Sequence, residues 1–157
     1  MLRLMIALVS LSLFIAACNN GASSGETADR KNGFPPVPKT REDSLFHEVM
    51  QGHDAGMAKM SKLRKNINET QRLLDSLNKV PASKINAAYK TSITGLQTAL
   101  KNANNEMNGW MDSFKPDSAN GNKELRIKYL QGEKEKVTVV KDHIFSVLQQ
   151  ADSLLKK

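Results

Sequence analysis

Apolar residues recur at steps of three, four or seven along the chain from Thr40 onward, with two interruptions. This spacing places their side chains on one face of a helix. The interruptions fall at Pro81 and at Lys115-Pro116-Asp117, and proline both ends a helix and disfavours helical geometry in the residue before it. The sequence therefore predicts three helices and no strand, over about residues 41–79, 83–115 and 122–156.

Each helix carries an apolar stripe that another helix can cover. The first stripe consists of Phe46, Met50, His53, Met57, Met60, Leu63, Ile67, Leu74 and Leu77. The second consists of Tyr89, Ile93, Leu96, Leu100, Ala103, Met107, Trp110 and Phe114. Because short breaks join helices of similar length, we expect an all-α, antiparallel, up-down-up three-helix bundle over residues 40–157. A longer intermolecular coiled coil is the alternative, since heptad spacing does not fix the oligomeric state.

Polar residues at the predicted helix starts are suited to capping. Thr40 and Asp43 have the spacing of a capping box, with aspartate in place of the usual glutamate. Ser83 can cap the second helix, because its hydroxyl can accept a hydrogen bond from a free backbone N–H of the first turn.

The N-terminus resembles the signal of a bacterial lipoprotein. Arg3 precedes an apolar run over residues 4–17, which is short for a transmembrane helix and typical of a secretory signal peptide. Cys18 is the only cysteine, and it follows small residues as in a lipobox. The resemblance implies cleavage after residue 17 and acylation of Cys18, and several acyl chains give a stable membrane anchor. An ordinary signal peptide with an incidental cysteine is the alternative.

Residues 18–39 are rich in Asn, Gly, Ser and Pro and show no apolar periodicity, so we expect a flexible tether. Asn19 follows Cys18, where an aspartate would resemble the signal for retention in the inner membrane. The resemblance therefore implies a cell-envelope protein that is lipid-anchored in the outer membrane and faces the periplasm.

The charge pattern favours a solvated surface. Without Arg3 the chain has 22 basic and 16 acidic residues, a net charge of +6. Both signs are interleaved within residues 41–79 and 117–157, which is typical of exposed helix faces and not of a nucleic-acid stripe. We expect no nucleic-acid partner. Because the chain has no HExxH motif, phosphate-binding glycine loop or Ser-His-Asp arrangement, we expect a non-enzymatic interaction or scaffolding role with an envelope protein as partner.

The hairpin of the first two helices predicts a cluster of histidine and methionine. Its turn centres near Val80-Pro81, so residues whose numbers sum to about 161 should face each other. Imidazole and thioether donors together suit Cu(I). The candidate donors are His53, Met57, Met107 and Met111, with Met50 as an extra donor and Trp110 as an aromatic neighbour of the ion.

An ordinary hydrophobic core is the alternative to this metal site, because methionine fills irregular gaps and contacts aromatic edges. His53 would then be a buried histidine with a hydrogen-bond partner. We do not expect Asp54 to orient His53 in the manner of a catalytic triad, since consecutive helix residues point about 100° apart.

Three blocks of the sequence carry short motifs, and the first, residues 48–60, reads EVMQGHDAGMAKM. This block matches the EVM-x-x-HD-x-x-M-x-x-M signature of a family of small bacterial helical lipoproteins that are labelled "viral A-type inclusion protein", and the chain resembles that family in all three blocks. Residues 106–114 are similar to its MM-x-WM-x-x-F block, with Asn108 where the family often has a second methionine, and residues 129–133 to its YL-x-x-E segment. The resemblance extends over about residues 44–155 and implies a helical lipoprotein, with no activity attached.

Overall fold

The computed structural model describes residues 37–155, and these form three α-helices without a strand. Helix α1 spans Arg41–Leu77, α2 spans Ala87–Ser113 and α3 spans Lys123–Leu154, with a single 3₁₀ turn at Ala82–Lys84. The all-helical prediction is confirmed for this part of the chain. The predicted signal peptide, the lipidation site at Cys18 and most of the predicted tether lie outside the described residues.

The start of α1 is fixed by the predicted capping box. The Thr40 hydroxyl accepts from the backbone N–H of Asp43 at 3.1 Å, and the Asp43 carboxylate accepts from the backbone N–H of Thr40 at 3.0 Å. Hydrogen bonding with Thr40 lowers the pKa of Asp43. Because this pKa is depressed in the folded state, the contribution of the cap is present at neutral pH and is lost as the pH falls through the folded pKa of Asp43.

The start of α2 differs from the prediction, because Ser83 does not cap it. Ser83 lies inside the 3₁₀ turn, and Ile85 after the turn is extended, with φ −88° and ψ 130°. A helix can begin only after this extended residue. Asn86 is the N-cap, and its side-chain oxygen accepts from the N–H of Tyr89 at 3.0 Å.

Contacts between the helices show that α1 and α3 run parallel, with α2 antiparallel to both. Ion pairs join Glu42 to Arg126, Glu48 to Lys134 and Lys62 to Asp152, so residue numbers rise together along α1 and α3. Against α2 the numbers run in opposite directions, as the contacts Gln71–Gln97, Glu106–His143 and Trp110–Glu133 show. Each helix contacts both others, as in the expected up-down-up bundle.

One core runs between the three helices. Its buried residues are Val49, Met60, Leu63, Leu96, Leu100, Ala103, Met107, Trp110, Val137, Ile144, Val147, Leu148 and Ala151. The five core residues of α2 all belong to the predicted stripe, whereas its first predicted member, Tyr89, is 37% exposed. No helix among the described residues is both long and apolar enough to cross a membrane.

The core face of α1 is rotated from the prediction in its first half. Leu45, Val49 and Gly56 are buried there, whereas Met57 is 37% exposed. A Cβ atom on Gly56 would lie 2.3 Å from the Met107 methyl group, and one on Gly52 would lie 2.9 Å from Val137. The neighbouring helices thus come close to the α1 backbone at positions where α1 has no side chain. A prediction based on the positions of large apolar residues cannot detect a contact face that is formed at glycines.

Two glycine substitutions test this close approach. Gly109 is exposed in α2 with no atom within 4 Å of a Cβ position, so Gly109→Ala should raise the free energy of unfolding by about 0.5–1 kcal/mol. Gly56→Ala should instead lower it by about 1 kcal/mol, because the Met107 methyl must move within a close-packed core. Urea denaturation followed by far-ultraviolet circular dichroism measures both. Equal stabilisation by the two substitutions would contradict the close contact.

Candidate functional site

Five rings lie together near the end of the bundle where α1 begins, and we call them the ring cluster: Phe46, His53, Trp110, Phe114 and Tyr129. Trp110 stacks on Phe114 with ring centroids 4.9 Å apart. Phe114 in turn lies 6.3 Å from both Phe46 and Tyr129. The His53 ring lies 5.6 Å from Trp110. Rings from all three helices therefore interlock at one level, and aromatic pairs of this kind add to the energy of burial.

The Trp110 indole has a charged partner inside the bundle. Its Nε1–H donates to the Glu133 carboxylate at 3.0 Å, and Glu133 is only 4% exposed. Lys136 lies 2.9 Å from the other oxygen of Glu133, and this hydrogen bond raises the pKa of Lys136. A buried carboxylate held by an indole and an ammonium group is satisfied and oriented. The hydrogen bond between Trp110 and Glu133 therefore holds α2 against α3 at the ring cluster.

Arg126 is the second buried charged residue of α3. Its guanidinium donates to Glu42 at 3.2 Å and to the backbone oxygen of Ser118 at 2.9 Å. It also lies 5.9 Å from the centre of the Phe46 ring. Arg126 therefore joins the start of α1 to the loop between α2 and α3 and covers one side of the ring cluster.

The sequence analysis missed both buried charges. Arg126 and Glu133 lie on the core stripe of α3, at positions that continue through Leu130 and Val137 at steps of four and three. The sequence does carry a signal for them, namely a charged residue at a position of the apolar stripe. Such a residue either has a buried partner or shows that the stripe has been assigned to the wrong face.

His53 has a hydrogen-bond partner that the sequence analysis excluded. Its Nδ1 lies 2.9 Å from the Asp54 carboxylate. The premise that the two side chains diverge too far to meet is therefore wrong, because rotation of both side chains brings them together although their Cα–Cβ bonds diverge. The His53 side chain is 19% exposed and that of Asp54 is 74% exposed, so the pair lies at the surface and contributes little to stability.

The candidate metal donors occupy different environments. Met107 is completely buried, and Met111 packs against the core. The pairs Phe46–Phe114 and His53–Trp110 set the register of α1 against α2, and this register puts the half-buried Met50 at the level of Met111. Met57, in contrast, is 37% exposed. The candidate donors therefore do not share one environment: Met107 lies in the core, with its methyl group next to Gly56, and Met57 lies on the outside.

Imidazole and carboxylate groups do not assemble a metal site by themselves within residues 37–155, where no three His, Cys, Asp or Glu side chains come together. His143 lies against Glu106 at 2.6 Å, and His47 lies against Gln51 at 3.0 Å. Any metal bound at the ring cluster therefore depends on methionine sulfur, and thioether ligands select soft ions.

Comparison of the chain with protein-family models, with curated proteins and with solved structures gave no match. The site is therefore interpreted from its own geometry.

Trp110→Phe tests the buried Trp110–Glu133 contact. The substitution keeps a ring on Phe114 but removes the indole N–H, and loss of a hydrogen bond to a buried charge costs about 1.5–3 kcal/mol. With Glu133→Leu as the second substitution, a double-mutant cycle should give a coupling energy of about 1 kcal/mol or more. Chemical denaturation followed by far-ultraviolet circular dichroism measures the cycle. Additive effects would show that the contact contributes nothing specific.

Proposed function

We propose that the protein is a lipid-anchored interaction or scaffolding module of the cell envelope, without enzymatic activity. The anchor is Cys18 after its apolar signal, and residues 18–39 separate it from the bundle. The resemblance to small helical lipoproteins supports the same interpretation. We expect the lipid to lie in the outer membrane, with the bundle facing the periplasm.

The engagement of the buried charges within the protein supports an interaction role most directly. Arg126 contacts Glu42 and the Ser118 carbonyl, and Glu133 contacts Trp110 and Lys136. Charged groups that serve catalysis are typically aimed into a cleft. Both of these groups instead join one helix to another, which supports a role for the outer surface of the bundle.

The outer surface offers an exposed apolar side chain on each helix. Met57 on α1 and Tyr89 on α2 are each 37% exposed, and Val139 on α3 is 67% exposed. They are separated from one another, as single apolar residues on protein surfaces usually are. Each of them is therefore a suitable position for a crosslinking residue that tests for a partner.

Cell fractionation combined with crosslinking tests the proposal. We expect the full chain to be found with membranes, and Cys18→Ser to release it into the soluble exported fraction, because the remaining apolar stretch is only a signal peptide. A photo-crosslinking amino acid at Val139 or Tyr89 should give adducts with envelope proteins in the anchored chain. Membrane retention of processed Cys18→Ser, or the absence of adducts at both positions, would contradict the proposal.

A Cu(I) site is the second candidate function, and the placement of His53 against Trp110, at the level of several methionines, supports it. His53, Met107 and Met111 would bind the ion, Met50 would be an additional donor, and Trp110 would cover it with its π-face. The site would then serve to bind or hold copper in the envelope.

Titration with Cu(I) under reducing conditions, against a competing chelator, tests this second function. Binding should be lost in His53→Leu and kept in His47→Leu, the matched control on the same helix. If the ring cluster is only core, no binding tighter than about millimolar is expected in either variant. His53→Leu should then be tolerated, because a partly buried polar ring is replaced by an apolar side chain.

A further inference from the structure

Basic residues are concentrated at one end of the bundle. We define the distal half as residues 61–101 and 144–155, which surround the turn between α1 and α2, and the proximal half as residues 37–60 and 102–143. The distal half has eight basic and three acidic residues, a net charge of +5. The proximal half has ten basic and eleven acidic residues, a net charge of −1. The excess positive charge of the described residues therefore lies in the distal half.

Most distal cations have no carboxylate partner among the described residues. Lys62 pairs with Asp152 and Arg72 with Glu69, and Asp75 accepts from the Gln71 amide. The remaining distal cations are Arg64, Lys65, Lys79, Lys84, Lys90 and Lys101. One stretch contributes four of these six, because residues 76–105 contain four lysines and no acidic residue. The positive potential of the distal half is therefore largely uncompensated.

The distal half lies far from the point where the N-terminal segment joins the bundle. The chain enters α1 at Arg41, and α1 ends at Leu77 in the distal half after 37 residues. At 1.5 Å per residue the two ends are about 55 Å apart. The chain that precedes residue 37 thus joins the bundle at its proximal end, and the distal end of α1 lies about 55 Å farther along the helix.

Polar, uncharged side chains lie beside some of these cations. Arg64 and Lys65 line an open groove along α1 together with Arg72, Ser61, Asn68 and Gln71. A second groove, between α2 and α3, is polar but has no cation in its lining, which includes Ser92, Ser146, Gln149, Gln150 and Ser153. The hydroxyl and amide groups between the cations of the α1 groove suit a partner that presents hydroxyls, amides and carboxylates.

A lipid surface fits the distal half less well. Helices that lie on membranes carry a continuous apolar face with Trp, Phe or Leu beside their basic residues. The exposed large apolar residues of the distal half are Val80, Tyr89 and Phe145, which lie singly on three different segments.

We propose that the distal half binds a carboxylate-bearing glycan–peptide polymer of the kind that forms a bacterial cell wall. This inference rests on the proposed envelope location, because only there does the domain meet such a polymer. The lipid then holds the proximal end at a membrane while the distal cations contact the polymer. The protein thereby links the membrane to the cell-wall polymer.

Co-sedimentation with insoluble cell-wall sacculi tests the inference, with the full chain purified in non-ionic detergent. The distal variant carries Arg64→Gln, Lys65→Gln, Lys84→Gln and Lys101→Gln. The matched proximal control carries Arg41→Gln, Lys39→Gln, Lys123→Gln and Lys128→Gln, with the same change in charge at residues that are also exposed. Circular dichroism checks that both variants are as helical as the unmodified chain.

We expect the distal variant to bind sacculi roughly tenfold more weakly or worse, and the proximal control to bind nearly as well as the unmodified chain. Raising the salt from about 50 to about 300 mM should weaken binding, because exposed charges are screened. Equal losses of sacculus binding in both variants, or no loss in either, would overturn the inference. It would also be overturned if the chain did not bind sacculi and its binding to anionic phospholipid vesicles were weakened in the distal variant only, since binding through the lipid is the same in both variants.

These outcomes are separate from a failure of the proposed function. Sedimentation measures the surface of the purified chain, whereas fractionation of Cys18→Ser measures anchoring in the cell. If the chain is anchored and crosslinks to envelope proteins but does not bind sacculi, only the cell-wall inference is overturned.

Discussion

The close contact of α2 and α3 with the glycine face of α1 determines the arrangement of the bundle. Gly56 admits the Met107 methyl group and Gly52 admits Val137, at distances that no Cβ atom would permit. Because both neighbours touch the α1 backbone on the same face, the flanking residues of α1 turn toward the edges of the interface. His53 therefore meets Trp110 at the edge between α1 and α2, partly exposed, instead of lying in the centre of the core.

The two buried charges of α3 make this arrangement specific. An apolar core of Leu, Ile and Met can slide by a helical turn at modest cost, since volume-conserving apolar contacts are similar in energy. Glu133 accepts a hydrogen bond from the Trp110 indole, which fixes α3 against α2. Arg126 donates to Glu42 and to the Ser118 carbonyl, which fixes α3 against α1 and against the loop between α2 and α3. A shift by one turn would leave both charges buried without partners, which is strongly unfavourable. We therefore infer that these residues select the register more than they add to stability.

Helix number, type and approximate ends followed from periodicity, and the finer placement did not. The two proline breaks and the step pattern predict three helices because both are local properties of the chain. The phase of α1 could not be read in this way, since large residues such as Met50 and Met57 mark a stripe. The contact surface in the first half of α1 instead includes two glycines beside Leu45 and Val49. Ser83 failed as a cap for a similar reason, because the extended Ile85 after it belongs to the turn and has no sequence signal of its own. For the candidate site, residue numbering predicted the level of His53 but not its contact with Asp54, which depends on side-chain rotation.

The distribution of charge shows what a count over whole helices conceals. Acidic and basic residues are interleaved within residues 41–79 and 117–157, whereas residues 76–105 contain four lysines and no acidic residue. The fold regroups them by level: the end of α1, the start of α2 and the end of α3 meet in the distal half, and two of these segments contain almost no acidic residues. An electrostatic surface is a property of neighbours in space, and its field reaches about 8–10 Å at physiological salt, which spans adjacent helices but not the length of the bundle. The two ends of this molecule therefore present different surfaces to their surroundings, although the composition of each helix alone gives little sign of it.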